Sequence, residues 1–450
     1  MSCSEVIEVP TAMEIFKLLP KKNCGECKFP TCLAFAMQLA NQKAKLEDCP
    51  YVSDQAKATL AASAAPPIRL VKIGTGSNAI EVGDETELYR HEKKFFHPTA
   101  YALIISDSSS DDEIKAKVEK AHSLRFERVG QLLKMDMIGI KNDSGNAERF
   151  AAVAEKVSKM TDLPMILVSD KPDAMKLAAS KIAAKVPLLH GANLSNAEAM
   201  AAVAKETKCP LVVYEDTSLN QLADLVAKVK TAGVEDIVLD FGAKTLKDLI
   251  EKSTIIRKIS VKKIFRGLGY PIFVYAGEGE RAILRGLIST MKYGSIVAFD
   301  DIDPATALPL YVLRQNIYTD PQVPIQVKPD LYAINNPNEK SPLLFTTNFS
   351  LTYFTVVGDI EKSKIPVWLQ VIDTEGLSVM TAFAAGKLTP EMVAKALEAS
   401  GAKNKSKRGE IIIPGMVARM SSKLQELTGL KVIVGPKESS GLPKLLKSLD

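Results

Sequence analysis

Cys24, Cys27, Cys32 and Cys49 fall in one stretch, NCGECKFPTCLAFAMQLANQKAKLEDCP, separated by two, four and sixteen residues. Four thiolates are the soft donor set that an iron-sulfur cluster takes. Gly25 lets the backbone turn between the first two cysteines, and Pro30 and Pro50 stiffen the loop beside the third and fourth. Apolar Leu33, Phe35, Ala36, Leu39 and Ala40 predict a helix over 33–45 that carries the chain back to Cys49. A structural zinc site also uses four cysteines. Zinc modules usually pair two close-set CxxC hooks, whereas here the third and fourth cysteines stand alone, so the spacing favours a cluster. A disulfide framework ranks below both, because no secretory signal is read ahead of it. Of the other two cysteines, Cys3 lies in a polar terminus, and Cys209 before the apolar run 210–214 reads as a buried small side chain.

The elements that must position this chemistry come next. A chain of 450 residues suits about three domains. A hydrophobic share of 46% with 25% charged residues describes a globular protein. The net charge of +5 includes no arginine-rich stripe interleaved with aromatics, which makes nucleic acid an unattractive partner. No apolar run approaches about 18 residues, so no membrane span is expected. Sparse cysteine outside the motif points to a cytoplasmic setting.

Residues 1–60 read as a cluster domain, closed by an Ala/Ser/Pro tether, AKATLAASAAPP, over 56–67. Residues 61–98 hold that linker and a small hairpin; Gly74-Thr75-Gly76 lacks the third glycine and strand-to-helix setting of a nucleotide loop, and reads as a turn. From 99 to 320, short apolar runs at 102–106, 137–140, 165–168, 186–189, 211–214, 237–239, 272–275 and 296–299 are each followed by a helix-like segment. Eight such units predict a (β/α)8 TIM barrel. The strand ends carry Asp107, Asn142, Asp170, His190, Glu215, Asp240, Glu278 and Asp300, a polar rim where a barrel enzyme keeps its catalytic groups; with no histidine cluster or nucleophile-base pair among them, helix caps and turns are the favoured explanation. A Pro/Asn-rich connection after Thr319 marks the last boundary. Residues 321–450 read as a smaller Rossmann-like α/β unit with strands at 342–345, 367–372, 410–413 and 432–434. Backbone N–H groups at Thr346, Asn348, Gly376, Leu377, Ser378, Gly415 and Gly435 converge there on one crevice, with Leu377, Met416, Val417 and Ala418 suited to a large flat ligand.

CGECxxxTC with a later Cys-Pro, the eight-unit barrel, and TTNFSLTYF, VIDTEGLSVMTAFAAGK and IIIPGMVARM in the last domain together resemble the large (gamma) subunits of corrinoid iron-sulfur proteins of the acetyl-CoA decarbonylase/synthase system. The resemblance covers essentially the whole chain. It implies a [4Fe-4S] cluster on Cys24, Cys27, Cys32 and Cys49, and a cobamide in the last domain. Thr374 matches the threonine toward the lower side of cobalt. Thr346, Asn348, Thr352, Gly376, Leu377, Ser378, Val379, Gly415, Met416, Ala418 and Gly435 match the corrinoid cradle. The chain has no histidine after His190, so a cobamide there lacks histidine ligation and is base-off, which eases reduction to Co(I). The implied function is a methyl carrier, a corrinoid-dependent methyltransferase component. Co(I) takes a methyl group from methyltetrahydrofolate through a methyltransferase and passes it as methyl-Co(III) to acetyl-CoA synthase/CO dehydrogenase, while the cluster reactivates Co(II). The implied structural partner is a small (delta) barrel subunit. The alternatives are an Rnf-like iron-sulfur electron-transfer subunit without a corrinoid, and a barrel enzyme with a structural cluster.

Overall fold

The computed structural model describes residues 12–449 except 41–43, 45, 54–55, 57–65, 93 and 263–264. Cys3 and all of the Ala/Ser/Pro tether but Ala56, Pro66 and Pro67 lie outside the described residues. The chain divides into two compact units, residues 1–126 with 133–318, and residues 127–132 with 319–450.

In the first unit, two short helices, α1 (Ala12–Leu18) and α2 (Cys32–Ala40), build the cysteine region. The helix expected over 33–45 is described only as far as Ala40, with 41–43 and 45 outside the described residues. The expected hairpin follows as antiparallel β1 (Val71–Ile73) and β2 (Ile80–Val82), in the register Val71 to Val82. Its inward side chains Val71, Ile73 and Val82 are fully buried in one cluster with barrel-interior residues such as Ile104, Met137, Ile166, Val238 and Phe273. The backbone N–H of Gly74 donates to Val186 O, and that of Arg69 to Gly269 O, both acceptors just ahead of barrel strands. The hairpin therefore plugs the N-terminal end of the barrel.

The barrel is closed by eight parallel strands: β3 (Ala100–Ser106), β6 (Met137–Lys141), β7 (Met165–Val168), β8 (Leu188–Ala192), β9 (Leu211–Tyr214), β10 (Ile237–Asp240), β11 (Ile272–Gly277) and β12 (Gly294–Phe299). Burial on both faces explains their near-continuous apolar sequences: alternate side chains fill the interior or pack under the helices. The strand expected at 186–189 instead runs over Leu188–Ala192. Val186 takes a left-handed φ of +46° to end the preceding turn, and Pro187 has no N–H for the ladder. An outer hairpin, β4 (Arg125–Arg128) and β5 (Gln131–Lys134), escapes the sequence pattern because its polar strands are largely solvated.

The segment after β2 is locked down by a buried ion pair. Arg257 Nη2 lies 3.1 Å from Glu85 Oε2, with only 4% and 10% of the two side chains exposed. Glu85 Oε1 also accepts from the N–H groups of Phe96 and His97, and Arg257 Nε donates to Glu87 O. Replacing Arg257 with methionine is expected to destabilise the first unit by about 3–5 kcal/mol, since it leaves a buried carboxylate without its cation; urea unfolding of the variant measures this.

The second unit holds β13 (Leu331–Ile334), β14 (Leu343–Thr347), β15 (Val367–Ile372), β16 (Glu410–Ile413) and β17 (Lys431–Val434), in the order β13-β15-β14-β16-β17. The last four are parallel, and β13 is an antiparallel edge strand. β13 corrects the expectation of a plain connection after Thr319: four residues between turn-forming neighbours carry too short a pattern to stand out.

Candidate functional site

The cysteine loop is shaped by backbone turns. Asn23, Gly25 and Lys28 take φ of +47°, +77° and +68°, and the Lys28 N–H closes back on Gly25 O at 2.9 Å. The Asn23 side chain accepts the Cys32 N–H at 2.8 Å, and the Asn23 N–H points at Cys32 Sγ at 3.4 Å, so one residue seats the third cysteine from both sides. All four thiols are free of disulfides; Cys27, Cys32 and Cys49 are buried and Cys24 is exposed. The buried three share an apolar knot with Ile15, Leu19, Phe35, Leu46 and Val52. Among the described residues, no three His, Cys, Asp or Glu side chains are placed to hold a single metal ion.

In the second unit, the carboxyl ends of the parallel strands open on a cavity of about 430 Å3. Counting only parallel strands, their spatial order is second, first, third, fourth. β14 and β16 therefore lie at the point where chain direction across the sheet reverses, the place where open α/β sheets bind ligands. The cavity sits there: Leu344, Phe345 and Thr346 come from β14, Ile412, Ile413 and Pro414 from β16 and its end. Leu351, Thr352, Thr355 and Val356 of the following helix (Ser350–Ser363) form one wall, with Ser378, Val379 and Met380 on another side and 436–439 with Leu442 on a third. The lining is mostly apolar. Thr346 Oγ1 is buried in it without a hydrogen-bond partner, an orphan that a bound ligand with a polar edge satisfies.

A braced loop leads into this cavity. Asn348 Oδ1 accepts three hydrogen bonds of 3.0 Å, from the Thr374 N–H, the Thr374 hydroxyl and the Gly376 N–H. Its Nδ2 donates to Gln326 Oε1 at 3.2 Å and to Asp373 Oδ1 at 3.0 Å. Gly376 takes φ of +76°, and a Cβ there meets Gln326 Cγ at 2.8 Å, so only glycine fits. On the opposite side, a Cβ on Gly415 meets Gly435 O at 2.5 Å: the loops after β16 and β17 touch through backbone alone.

Two family comparisons bear on these regions. Residues 19–51 match the family described as a putative Fe-S cluster, and residues 70–446 match the CO dehydrogenase/acetyl-CoA synthase delta subunit family. The corrinoid/iron-sulfur protein large subunit of Moorella thermoacetica is 48% identical over 434 residues, covering 96% of this chain and 97% of that one. The chain belongs to the corrinoid/iron-sulfur protein large subunit family. The acetyl-CoA decarbonylase/synthase complex subunit gamma of Methanothermobacter thermautotrophicus is 33% identical, over 98% of this chain and 99% of that one. Subunit gamma 1 of Methanosarcina thermophila is 36% identical over 97% and 98%. Among solved structures, a dihydropteroate synthase of Xanthomonas albilineans covers 55% of this chain with a TM-score of 0.39 at 13% identity.

As a family member, the chain distributes its expected cradle residues unevenly. Thr346, Thr352, Ser378, Val379 and Met416 line the cavity. Asn348, Thr374, Gly376 and Leu377 form the braced loop, in which Thr374 is 1% exposed and its hydroxyl lies within 3.0 Å of Asn348 Oδ1 and 2.9 Å of Leu377 O. Gly415 and Gly435 make the backbone contact, and Ala418 is exposed beyond it. Val417, expected at the crevice, is instead fully buried in the core with residues of β14 and β16; it sits at a kink (φ −113°, ψ 27°) inside the segment Gly415–Met420. Apart from Thr352, the helix wall (Leu351, Thr355 and Val356), with Lys437 and Gln326, was not legible as part of the site: the only signals are an apolar face and isolated polar residues in turns. Thr346→Val keeps the shape and removes the orphan hydroxyl. It is expected to leave the ligand-free unit as stable or more stable, and to weaken ligand retention roughly 3- to 10-fold through a lost hydrogen bond of about 1 kcal/mol. Paired unfolding and cobamide-binding titrations separate the two.

Several polar groups of the barrel rim are held in internal contacts, while Asn142 Oδ1 and His190 Nδ1 are buried without a hydrogen-bond partner. Asp107 accepts from Ser144 N and Oγ, Glu215 from Thr217 N and Asp240 Oδ1 from Gly242 N. His190 Nε2 is 2.9 Å from Asp240 Oδ2, and Tyr275 hydrogen-bonds Asp300, its phenol held well above the usual range by burial and then by that carboxylate. The Glu215 and Asp240 contacts to residues two positions on are the local turn roles expected of such residues, whereas those of Asp107, His190 and Asp300 join distant segments. No helix among the described residues is long and apolar enough to cross a membrane.

Proposed function

We propose that the chain is a methyl carrier of the acetyl-CoA pathway, holding a base-off corrinoid in its second unit and a [4Fe-4S] cluster at its four-cysteine loop. When bound, the corrinoid supplies a metal that accepts and donates a methyl group, and the cluster supplies the single electron that returns an oxidised metal to service. The carrying observation is the apolar cavity at the reversal point of the second sheet, with its orphaned Thr346 hydroxyl and no histidine in that unit. The cavity is smaller than a whole corrinoid and takes part of one.

The residues of the chain have distinct tasks. Leu344, Leu351, Val356, Ile412 and Leu442 exclude water from the bound part, and Thr346, Thr352 and Ser378 offer hydroxyls to its polar edges. Asn348 fixes the Thr374 loop through five side-chain hydrogen bonds. Thr374 is assigned to the lower side of the metal. It would be a poor ligand there because a neutral hydroxyl is a weak electron-pair donor; its proton, directed to Asn348 Oδ1 and Leu377 O, holds the side chain in the loop. A weak lower donor leaves the metal easier to reduce, which suits a methyl acceptor that must reach its most nucleophilic state. In the first unit, Cys24, Cys27, Cys32 and Cys49 hold the cluster. The named gamma-subunit relatives support a place in a larger assembly, and the partners assigned are a small (delta) barrel subunit, a methyltetrahydrofolate methyltransferase and acetyl-CoA synthase/CO dehydrogenase.

Anaerobic purification with the small subunit, followed by metal analysis and visible and EPR spectra, tests the assignment. Expected are iron and cobalt together, with a Co(II) signal lacking nitrogen hyperfine structure from an axial base. Iron without cobalt after reconstitution with a cobamide would replace it by an electron-transfer role.

A further inference from the structure

We infer that the carboxyl-terminal mouth of the barrel holds a second ligand site, between β10 and β11, and that it takes a small zwitterion, an ammonium carboxylate of amino-acid size. The inference is independent of the cluster and corrinoid assignments. β10 and β11 pair only at Leu239 with Ile272, whereas β9 and β10 pair at four positions and β11 and β12 at five. Beyond that single pair the two strands part, and a cavity of about 190 Å3 opens at their carboxyl ends. Tyr214, Phe241, Phe273 and Tyr275 line it, together with two charged side chains, Asp240 and Arg285.

The protein anchors both charges and neutralises neither. Arg285 comes from the helix after β11 (Gly279–Met291), and its Nη groups donate to Ala243 O at 2.9 Å and to Tyr275 O at 3.0 Å, across the parted strands. Its Nε is buried with no hydrogen-bond partner, and no carboxylate of the described residues forms an ion pair with it. Burial pulls its pKa down, against the opposing pull of Asp240 and Asp248. Asp240 Oδ1 accepts the Gly242 N–H, and Oδ2 faces His190 Nε2, the only basic side chain in contact with it among the described residues. His190 Nδ1 has no partner, so a second ring proton would be a buried donor without an acceptor; the neutral ring is the lower-energy form, and Asp240 keeps its charge. Lys141 and Lys252, whose ammonium groups lie 5.9 Å from the Tyr275 and Phe241 rings, are committed to Asp143 and Asp248.

A cation and an anion thus face one cavity without forming an ion pair, and both stay partly desolvated without a full counter-charge. A ligand carrying both charges satisfies the two at once. Its carboxylate meets Arg285 Nε, its ammonium meets Asp240, and the aromatic walls favour the cationic end. A simple anion is repelled by Asp240 and a simple cation by Arg285, so neither half alone suits the site.

The test uses the whole protein with L-alanine and glycine betaine as zwitterions, acetate and tetramethylammonium as their halves, and uracil as a neutral planar ring that offers both a donor and an acceptor. Isothermal titration and the thermal unfolding midpoint are read together. At least one zwitterion is expected to bind and to raise the midpoint. Acetate and tetramethylammonium are expected to bind at least about tenfold more weakly, because each leaves one charged group unmet. Asp240→Asn keeps an acceptor for Gly242, and with Arg285→Gln it is expected to lower zwitterion affinity about tenfold or more, with iron and cobalt content unchanged. A parent that binds neither zwitterion overturns the proposal without any variant, and so does acetate or uracil binding as tightly as the zwitterions. Parental affinity in a folded Asp240→Asn protein places the ligand elsewhere and overturns it as well.

Discussion

Cys27→Ala is expected to empty the cysteine loop of iron and to abolish reductive reactivation, while leaving the cobamide in place. Cys27 is a buried member of a knot built on short helices, α1 and α2 being seven and nine residues long. So small a region buries too little apolar surface to hold itself together without a crosslink or a metal. Losing one of four ligands removes both a bond to the cluster and the anchor of the Gly25 turn. The iron content and the visible absorbance of the cluster should fall to near background. The second unit has its own hydrophobic cores, built on both faces of its sheet, and should unfold at the parental denaturant concentration. Methyl transfer measured on protein reduced beforehand should persist. Loss of methyl transfer together with reactivation would falsify this division of labour between the units.

Asn348→Ala is expected to cost the second unit about 3–5 kcal/mol and to release most of its cobamide, because it leaves several buried polar groups unpaired at once. The Thr374 and Gly376 N–H groups lose their acceptor, and neither has another partner within the loop. Asp373 and Gln326 lose a donor. The loop is then free to leave the left-handed turn at Glu375 and Gly376, with φ of +56° and +76°. Ser378 and Val379, which line the cavity, follow directly after it. Gln326→Ala is the companion variant: it gives up one of these bonds and should cost only about 1 kcal/mol. Urea unfolding of both variants and cobalt retained after gel filtration are the measurements. Equal, small effects for the two would show that Asn348 is not the brace.

The barrel was readable because its strands are buried on both sides. Such strands become short apolar runs, and the runs at 165–168 and 211–214 coincide with β7 and β9 to the residue. Where burial is one-sided or absent, the pattern fades: the solvated β4 and β5 hairpin and the four-residue edge strand β13 left no usable period. The rim residues illustrate a different limit. His190 and Asp240 are fifty residues apart and meet at 2.9 Å only because β8 and β10 close on the same side of the barrel.

For the chemistry, local spacing carried the cysteines. Ligand identity and the turn at Gly25 are properties of one short stretch, so the donor set needed no fold to be seen. Glycine loops after the strands of the second unit were likewise visible, and with them the end of the sheet where a ligand binds. Which of their side chains face the cavity was decided by the tertiary structure. The order of β15, β14, β16 and β17 creates the reversal that opens the cavity, and that order depends on long-range strand pairing. The same pairing turns Thr346 toward the cavity and Val417 into the core. It also spends the whole polar capacity of Asn348 on holding Thr374 and Gly376, residues twenty-six and twenty-eight positions away. The sequence by itself therefore determined the architecture and the donor set proposed for the cluster, since both follow from composition and period over short windows. The shape of the ligand cavity, and the division of its residues between lining and bracing, came only with the packing of distant segments.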